Sequence, residues 1–201
     1  MRSNIFSEYL NKKELIQSRL KEFKDLPEKK YLDELMFCTL TPQSNAKKCW
    51  QAVEEIKKLR KINSNSLLKI LKTKTRFHNN KTKYLIYNIN NWNKIKEKIN
   101  SNSDIKDLRN WLAENVYGYG LKEASHFLRN IGKSNNKIAI LDRHILRNLK
   151  KIKIIENDKI KNKNEYFYLE EKFIKLSQEL KIPADELDLL FWSQETGEIF
   201  K

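Results

Sequence analysis

Apolar residues along the chain recur every three or four positions, which is the spacing of one face of an α-helix. The pattern predicts about ten helices, at 10–23, 31–40, 50–59, 67–71, 84–92, 105–116, 122–131, 143–151, 165–180 and 184–195. Thr41-Pro42 ends the second helix, and Ser44 or Asn45 can cap the third. No stretch alternates in the manner of a half-buried strand. The chain is therefore predicted to be all-α.

The spacing of turn residues indicates how the helices are grouped. Glycine and proline are scarce, and the strongest turn cluster after residue 120 is the segment 132–137, G-K-S-N-N-K. We expect one domain of two helical lobes, at about 26–133 and at about 1–25 plus 134–201. The first lobe would contain a hairpin of two helices at 107–131.

The apolar runs and the cysteines indicate the compartment in which the protein is expected to work. No run approaches the 18 or more apolar residues that span a bilayer, and the first ten residues lack the apolar core of a secretory signal. We expect the protein to remain in the cytoplasm. Cys38 and Cys49 form no metal-ligand pattern and need not pair. Neither a metal nor a cofactor is predicted.

Charge is distributed unevenly along the chain, whose formal net charge is +15. Residues 56–96 hold twelve basic side chains and no acidic one, whereas residues 165–201 hold nine acids and four bases. Such asymmetry is typical of a surface that binds a polyanion. The alternative is an AT-rich genome, because Lys, Asn and Ile are all abundant. Codon bias accounts for many lysines, but not for the lack of acids in residues 56–96.

Two of the four glycines stand one residue apart in N-V-Y-G-Y-G-L-K, residues 115–122. Gly118 and Gly120 predict a tight turn between two helices, with positive φ and room for a close backbone approach. Free N–H groups at the start of the second helix would bind a phosphate oxygen. Many turns between helices use glycine, so the pair by itself is also typical of an ordinary turn.

Lys122 stands at the start of the helix that follows the glycines, where the helix dipole disfavours an ammonium group. A neutral lysine amine can attack an electron-poor carbon and form a Schiff base. The alternative is a lysine that contacts a phosphate or lies in solvent.

A carboxylate follows twenty residues later, in A-I-L-D-R-H-I-L, residues 139–146. Asp142 suits the N-cap of a helix, which is its ordinary structural role. A carboxylate held there could also stabilise a cationic sugar or manage the proton of a nearby lysine. His144 could donate to a phosphate or only pack. Lys122 and Asp142 together are more informative than either residue alone.

The segments Y-G-Y-G-L-K-E-A-S-H-F-L-R-N and A-I-L-D-R-H-I-L resemble the helix-hairpin-helix glycosylases of the endonuclease III superfamily. They are most similar to the short archaeal-type branch, the second family of 8-oxoguanine DNA glycosylase/AP lyases. The resemblance extends over nearly the whole chain, because L-T-P-Q-S-N-A and W-S-Q-E-T-G-E-I-F-K also have counterparts. It implies a two-lobed fold with DNA and the extruded base in a central cleft. It also implies that Lys122 is the Schiff-base nucleophile and Asp142 the essential carboxylate.

The resemblance also implies how the extruded base is held, and each position has an alternative. Gln43 would contact the orphaned cytosine, but it could be an ordinary residue at a helix start. Phe77 and Trp192 would sandwich the lesion, although the segment around Trp192 has the apolar density of a core helix. Lys201 would help to distinguish 8-oxoguanine from guanine, whereas a terminal lysine is otherwise frayed and solvated.

Two further residues are candidates for contacts with the substrate. Asp188 is a candidate acceptor for the N7 hydrogen that 8-oxoguanine has and guanine lacks, or a residue that orients such an acceptor. Lys81 lies in the basic region near Phe77 and is a candidate for DNA binding.

The chain departs from the family pattern at a few points. Tyr119 stands between the glycines where an aliphatic residue is usual, and the loop before Asp142 is slightly longer than expected. The iron–sulfur cluster of endonuclease III relatives requires four cysteines near the C-terminus, and this chain has none there.

The resemblance therefore implies a monomeric, bifunctional enzyme that excises 8-oxoguanine from duplex DNA and nicks the strand by β-elimination. One alternative is a glycosylase of the same fold for another lesion, such as an oxidised pyrimidine. Another is a non-catalytic helix-hairpin-helix DNA-binding module, which accounts for the glycines and the charge but not for Lys122 and Asp142. A third is a structural helical protein without affinity for DNA.

Overall fold

A computed structural model describes residues 2–201, and describes side chains from Asn4 onward. These residues form eleven α-helices and one short 3₁₀-helix, with no β-strand among them, so the all-α prediction is confirmed. The α-helices are α1 (Arg2–Lys24), α2 (Tyr31–Leu40), α3 (Ala46–Lys57), α4 (Ser64–Lys74), α5 (His78–Asn90), α6 (Trp92–Asn100), α7 (Ile105–Asn115), α8 (Leu121–Asn130), α9 (Arg143–Lys151), α10 (Lys163–Leu180) and α11 (Ala184–Thr196). The 3₁₀-helix is Glu28–Lys30.

The predicted helix at 84–92 is replaced by two helices, α5 and α6. Asn91 separates them, with φ −99° and ψ 10°, and its N–H still bonds to the carbonyls of Tyr87 and Ile89. Helix α6 buries Ile95 and Ile99, which lie four residues apart on one face. The sequence prediction missed α6, because polar residues surround these two apolar positions.

Helix α1 buries a different face from the one predicted. Leu10 and Leu15, two of the apolar residues whose spacing predicts the helix at 10–23, are 54% and 66% exposed. The buried residues of α1 are Ile5, Tyr9, Ile16 and Phe23, whose spacings of four and seven keep them on one stripe. Leu10 follows Tyr9 and Leu15 precedes Ile16, so each lies about 100° around the helix from a member of that stripe.

The chain divides into two compact units. Unit 1 comprises residues up to Leu26 together with Leu128–Lys201, and unit 2 is Pro27–Phe127. Each unit has its own apolar core. Fully buried core residues of unit 1 include Ile16, Leu149, Phe173, Leu187, Leu189 and Phe191, and those of unit 2 include Leu35, Phe37, Leu40, Ile56, Leu67, Leu71, Leu85, Leu112 and Phe127.

The second boundary between the units lies within α8, earlier than the turn cluster at 132–137 where the sequence suggested it. Arg129, on the last turn of α8, forms an ion pair with Asp188 and lies over the ring of Phe23, both in unit 1. Gly132 has φ +70°, and a Cβ added there would lie 2.5 Å from the Cα of Lys24. These contacts explain why the end of α8 belongs to unit 1.

Membrane-spanning helices and disulfides are both absent from the described residues. Within the part of the chain that the structure describes, no helix is long and apolar enough to cross a membrane. Cys38 and Cys49 are both buried, and neither forms a disulfide.

Candidate active site and DNA-binding residues

The turn between α7 and α8 depends on one glycine more than on the other. Gly118 has φ +83°, and a Cβ there would lie 2.6 Å from Cδ2 of Tyr84. Gly120 does not have a positive φ, and its Cβ would make only an ordinary contact of 3.4 Å with Glu123. The expectation that both glycines supply positive φ is therefore wrong for Gly120. The fold requires glycine at position 118. At position 120 a larger residue would fit, and glycine there leaves open space beside the backbone.

A buried asparagine holds the backbone of this turn. The Nδ2 of Asn88 donates to the carbonyl of Tyr117 at 3.0 Å, and its Oδ1 accepts from the N–H of Tyr117 at 2.9 Å. Asn88 is fully buried on α5. The ring of Tyr117 stacks on that of Tyr87, with centroids 3.6 Å apart and planes 12° from parallel. No sequence pattern marked Asn88, because its partner is a main-chain group 29 residues away.

Tyr119, the unusual residue between the glycines, points into unit 2. Its hydroxyl donates to the carbonyl of Leu35 at 3.0 Å, and its ring packs near Phe127 with centroids 6.2 Å apart. Burial raises the pKa of Tyr119 well above its usual value, so the hydroxyl remains a neutral donor. The main-chain acceptor explains how a tyrosine replaces an aliphatic residue here.

Lys122 lies in the first turn of α8 and is paired with the next residue. Its Nζ is 2.7 Å from Oε1 of Glu123, and its side chain is 26% exposed. The other oxygen of Glu123 accepts from the N–H of Gly120 at 3.1 Å, as a capping glutamate does. The N–H group that was expected to be free for a phosphate is therefore occupied at Gly120. Glu123 was not among the residues predicted from the sequence, although an acid three residues after a helix N-cap is a recognisable signal of such capping.

Gln43 and Phe77 lie in two exposed turns of unit 2. Both have left-handed backbones, with φ +54° and +55°. Phe77 is 53% exposed, and the guanidinium of Arg76 lies 5.4 Å from its ring centroid. Gln43 is exposed and precedes α3, whose N-cap is Asn45. Both side chains can therefore reach a ligand from the surface of unit 2.

Lys81 was expected to bind DNA, and its position corrects that expectation. The residue is only 3% exposed, and its Nζ donates to three oxygen atoms within unit 2. Because the ammonium is already bonded inside the protein, a direct contact with a DNA phosphate does not fit this side chain.

Asp142, in unit 1, is the N-cap of α9. Its Oδ1 accepts from the N–H groups of His144 and Ile145 at 2.8 and 2.9 Å. Within the described residues, Oδ2 accepts no hydrogen bond. The capping role is therefore observed, and it leaves one carboxylate oxygen for chemistry. His144 is half-buried, and its Nδ1 lies 3.8 Å from Oε2 of Glu195.

Asp188 is buried on α11 and paired with a residue that the sequence did not single out. Its Oδ2 accepts from Nη1 of Arg129 at 2.7 Å. Burial raises the pKa of Asp188 to about 7, and the charges of Asp142 and Asp185 act in the same direction while Arg129 opposes them. Arg129 therefore fixes one oxygen of Asp188 and supplies its counter-charge.

Trp192 and Lys201 lie toward the end of unit 1. Trp192 is half-buried on α11, although Phe191 and Ser193 on either side are almost fully buried. Part of the indole ring is therefore accessible, which a core tryptophan would not be. Helix α11 ends at Gly197, which has φ +80°, and the chain continues to Lys201, which is also half-buried.

The chain is all-helical, carries a lysine directly after a glycine hairpin and has an aspartate that caps a later helix. These are the defining features of the helix-hairpin-helix DNA glycosylases. The family model described as 8-oxoguanine DNA glycosylase, Ogg-HhH, matches residues 16–182. The chain belongs to this family, and the resemblance seen in the sequence is confirmed.

Relatives are similar over nearly their full length. The 8-oxoguanine DNA glycosylase/AP lyase of Fusobacterium nucleatum is 42% identical, over 97% of this chain and 99% of its own. The enzyme of the same description from Methanocaldococcus jannaschii is 32% identical, over 94% and 93%.

Solved structures show the same fold. The crystal structure of the 8-oxoguanine DNA glycosylase of Thermotoga maritima matches with a TM-score of 0.89 and 29% identity, over 100% of this chain and 98% of that one. The Methanocaldococcus jannaschii 8-oxoguanine glycosylase/lyase, crystallised with a 15mer DNA containing 8-oxoguanine, matches with a TM-score of 0.89 and 31% identity, over 98% of each chain.

Proposed function

We propose that this protein excises 8-oxoguanine from duplex DNA through Lys122 and then nicks the strand at the resulting site. It is a DNA glycosylase and AP lyase, and its partner is DNA. The observation that carries the assignment is the position of Lys122 in the first turn of α8, behind the Gly118 turn. This lysine lies in a chain that is 42% identical to an 8-oxoguanine DNA glycosylase/AP lyase along nearly its whole length.

The reaction begins when the ammonium of Lys122, which is paired with Glu123 in the free protein, loses a proton to solvent and leaves a neutral amine. Its nitrogen attacks C1′ of the damaged nucleotide, the bond between C1′ and N9 breaks, and the base leaves with the electron pair and takes up a proton. Asp142 stabilises the positive charge that develops on the sugar. The Schiff base that forms on ring opening then loses a proton from C2′, and the 3′ phosphate leaves by β-elimination.

Three side chains serve the extruded base and the cytosine that it leaves behind. Gln43 contacts the orphaned cytosine, while Phe77 and Trp192 supply stacking surfaces, each of the kind worth about 1–3 kcal/mol. Their accessibility in the structure supports these roles.

Discrimination against guanine depends on the hydrogen on N7. Asp188 accepts that hydrogen or orients the acceptor, and Lys201 assists in selecting the oxidised base. The burial of Asp188 and its bond to Arg129 support the second role, because they hold the Asp188 carboxylate inside the protein in one orientation. A site built for this hydrogen bond leaves its acceptor unpaired when guanine enters.

Contacts with the DNA backbone come from the hairpin and from basic residues. Gly118 and Gly120 form the turn that approaches a phosphate, and His144 donates to another. Since Glu123 occupies the N–H of Gly120 in the free protein, the phosphate must displace this carboxylate or bind beside it. The protein acts as a monomer in the cytoplasm, at the nucleoid where its substrate lies.

Borohydride trapping on duplex DNA containing 8-oxoguanine tests the proposal directly. Reduction of the Schiff base should link wild-type protein covalently to DNA, and Lys122→Gln should abolish the adduct. Lys106→Gln removes an exposed lysine of the same hairpin and should leave trapping intact. Asp142→Asn should reduce turnover strongly with little change in DNA affinity.

Several outcomes would contradict this assignment. An adduct that persists in Lys122→Gln would exclude Lys122 as the nucleophile, and full activity of Asp142→Asn would remove Asp142 from the mechanism. Faster incision at an oxidised pyrimidine than at 8-oxoguanine would assign another lesion. Salt-dependent DNA binding without any adduct in the wild type would indicate a non-catalytic DNA-binding module.

A further inference from the structure

Two exposed residues of unit 2 adopt backbones that are unfavourable for their side chains. Six non-glycine residues with positive φ are found in the described chain, namely Gln43, Phe77, Asn135, Asn136, Lys153 and Lys181. Asparagine tolerates this conformation, and Lys181 and Lys153 lie one and two residues past helix ends, where it is common. Gln43 and Phe77 have neither reason. Non-glycine residues held in this region persist only when surrounding contacts impose the conformation.

Hydrogen bonds join the two turns that carry these residues. Ser44 follows Gln43, and Arg76 precedes Phe77. The hydroxyl oxygen of Ser44 accepts from the N–H of Arg76 at 3.0 Å, so the turns are connected one residue from each strained position. Ser44 had been a candidate N-cap of α3, but Asn45 has that role and Ser44 is available for this bond.

The ammonium of Lys81 supports the junction of the two turns, the bond between Ser44 and Arg76, from the buried side. Its Nζ donates to the Ser44 hydroxyl at 2.8 Å, to the carbonyl of Pro42 at 2.8 Å and to the carbonyl of Leu40 at 2.6 Å. The backbone N–H of Lys81 bonds to the carbonyl of Phe77 at 3.0 Å, in the first turn of α5. One residue is thus bonded to both turns, through its side chain on one side and its backbone on the other.

The burial of this cation is unfavourable unless it is compensated. Lys81 is 3% exposed, and burial lowers its pKa to about 8. The interaction with Cys49 opposes this shift, whereas the charges of Lys122 and Arg76 add to it. None of the three acceptors is a carboxylate. Leu40 is the last residue of α2, whose carbonyls carry the negative end of the helix dipole, so a cation is favoured there. Three short bonds to uncharged oxygens hold Lys81 in place.

We propose that Lys81 is a positioning residue, which acts through Ser44 to hold Gln43 in place for the orphaned cytosine and Phe77 in place for the extruded base. The inference rests on the function proposed above for these two residues. Lys81 does not touch the substrate in this scheme. Its contribution is to keep both turns in place before DNA binds, so that binding energy is not consumed in ordering them.

A comparison of two substrates distinguishes this positioning role from a general loss of enzyme activity. An abasic site has no base to stack, so Phe77 contributes to the excision of 8-oxoguanine but not to cleavage at a preformed abasic site. Lys81→Met should slow single-turnover excision by about tenfold or more, the size expected from losing a base-stacking contact. Abasic-site cleavage should remain within about threefold of the wild type. Lys83→Met removes an exposed charge two residues away on α5, so any loss of DNA binding should affect both substrates equally and leave the ratio of the two rates unchanged.

A second variant and a mutant cycle make the test independent of whether Lys81→Met folds well. Ser44→Ala removes only the oxygen that joins the turns and leaves the bonds of Lys81 to Leu40 and Pro42, so it should show the same selective loss in milder form. In a background that carries both Gln43→Ala and Phe77→Ala, Lys81→Met should slow excision little further, because it acts through these two residues. Additive effects, or equal losses on both substrates, would overturn the proposal.

Amide hydrogen exchange tests the structural part of the proposal without an activity assay. The N–H of Arg76 should exchange faster in Lys81→Met and Ser44→Ala than in the wild type and in Lys83→Met. Unchanged exchange in both variants would show that Lys81 does not hold the junction and would overturn the inference. A wild type that cleaves neither substrate would instead refute the proposed function, and the exchange of Arg76 would still report on Lys81.

Discussion

The carboxylate of Glu123 bonds to the side chain of Lys122 with one oxygen, at 2.7 Å, and to the backbone N–H of Gly120 with the other, at 3.1 Å. One side chain therefore connects the proposed nucleophile to the hairpin turn. The start of α8, the turn before it and the lysine are held as one structural element.

Substitution of Glu123 should separate its capping role from its charge. Glu123→Ala removes the acceptor for the N–H of Gly120, and we expect the free energy of unfolding to fall by about 1 kcal/mol, as for the loss of other helix caps. Glu123→Gln keeps an acceptor of the same shape and should lose less than half of that. Urea unfolding of the two variants measures the difference, and equal losses would show that the charge and not the cap matters.

The two glycines of the hairpin should respond differently to alanine. Gly118→Ala forces a Cβ into a left-handed backbone and against Tyr84, so we expect a loss of about 1–2 kcal/mol or more. Gly120→Ala meets no such obstacle and should unfold like the wild type. Its effect should appear in DNA affinity, because the added methyl group lies where a phosphate would approach. Thermal unfolding and DNA titration of both variants provide the comparison.

Asn88 should be essential to the turn although it touches no substrate. Asn88→Ala leaves the N–H and the carbonyl of Tyr117 without their partners, and a loss of about 1–3 kcal/mol is expected when such part-buried polar groups are left unsatisfied. Asn90→Ala, at the exposed end of the same helix, is the matched control and should change stability little. Chemical denaturation measures both, and a stable Asn88→Ala would mean that water replaces these bonds.

Lys81 should make stability depend on pH in the alkaline range. Its pKa in the folded protein is about 8, below the ordinary value of 10.5, so the unfolded chain binds more protons between these two values. The free energy of unfolding should therefore rise with pH across this window, by about 2 kcal/mol as an order of magnitude. Subtracting the pH profile of Lys81→Met removes the contributions of groups common to both proteins. A flat difference between pH 8 and 10.5 would contradict the lowered pKa.

The ion pair of Arg129 and Asp188 should affect both stability and selectivity. Arg129→Met leaves Asp188 buried without its counter-charge, and breaking such a pair typically costs about 3–5 kcal/mol. Adding Asp188→Asn should restore part of the stability, since no charge then remains buried. If Asp188 takes part in base recognition, the double variant should still show a reduced preference for 8-oxoguanine over guanine. Unfolding measurements and competitive excision assays test the two effects separately.

Most helices followed from local patterns, whereas the environment of individual side chains did not. The apolar spacing located the helices well except at α6, and the G-Y-G-L-K segment indicated the hairpin and its lysine. The same patterns did not show that α1 buries Tyr9 and Ile16 instead of Leu10 and Leu15, because several faces of that helix carry apolar residues. The choice among them depends on what packs against the helix.

The sequence by itself determined the all-helical class, the hairpin behind which Lys122 lies, Asp142 at a helix start and membership of the glycosylase family. These properties rest on helical periodicity and on motifs of neighbouring residues. Only the tertiary structure decided that Lys81 faces inward, that Tyr119 bonds to Leu35 and that Arg129 pairs with Asp188. The partners in these contacts lie 41, 84 and 59 residues apart, so their meeting depends on how the helices pack and not on any local pattern.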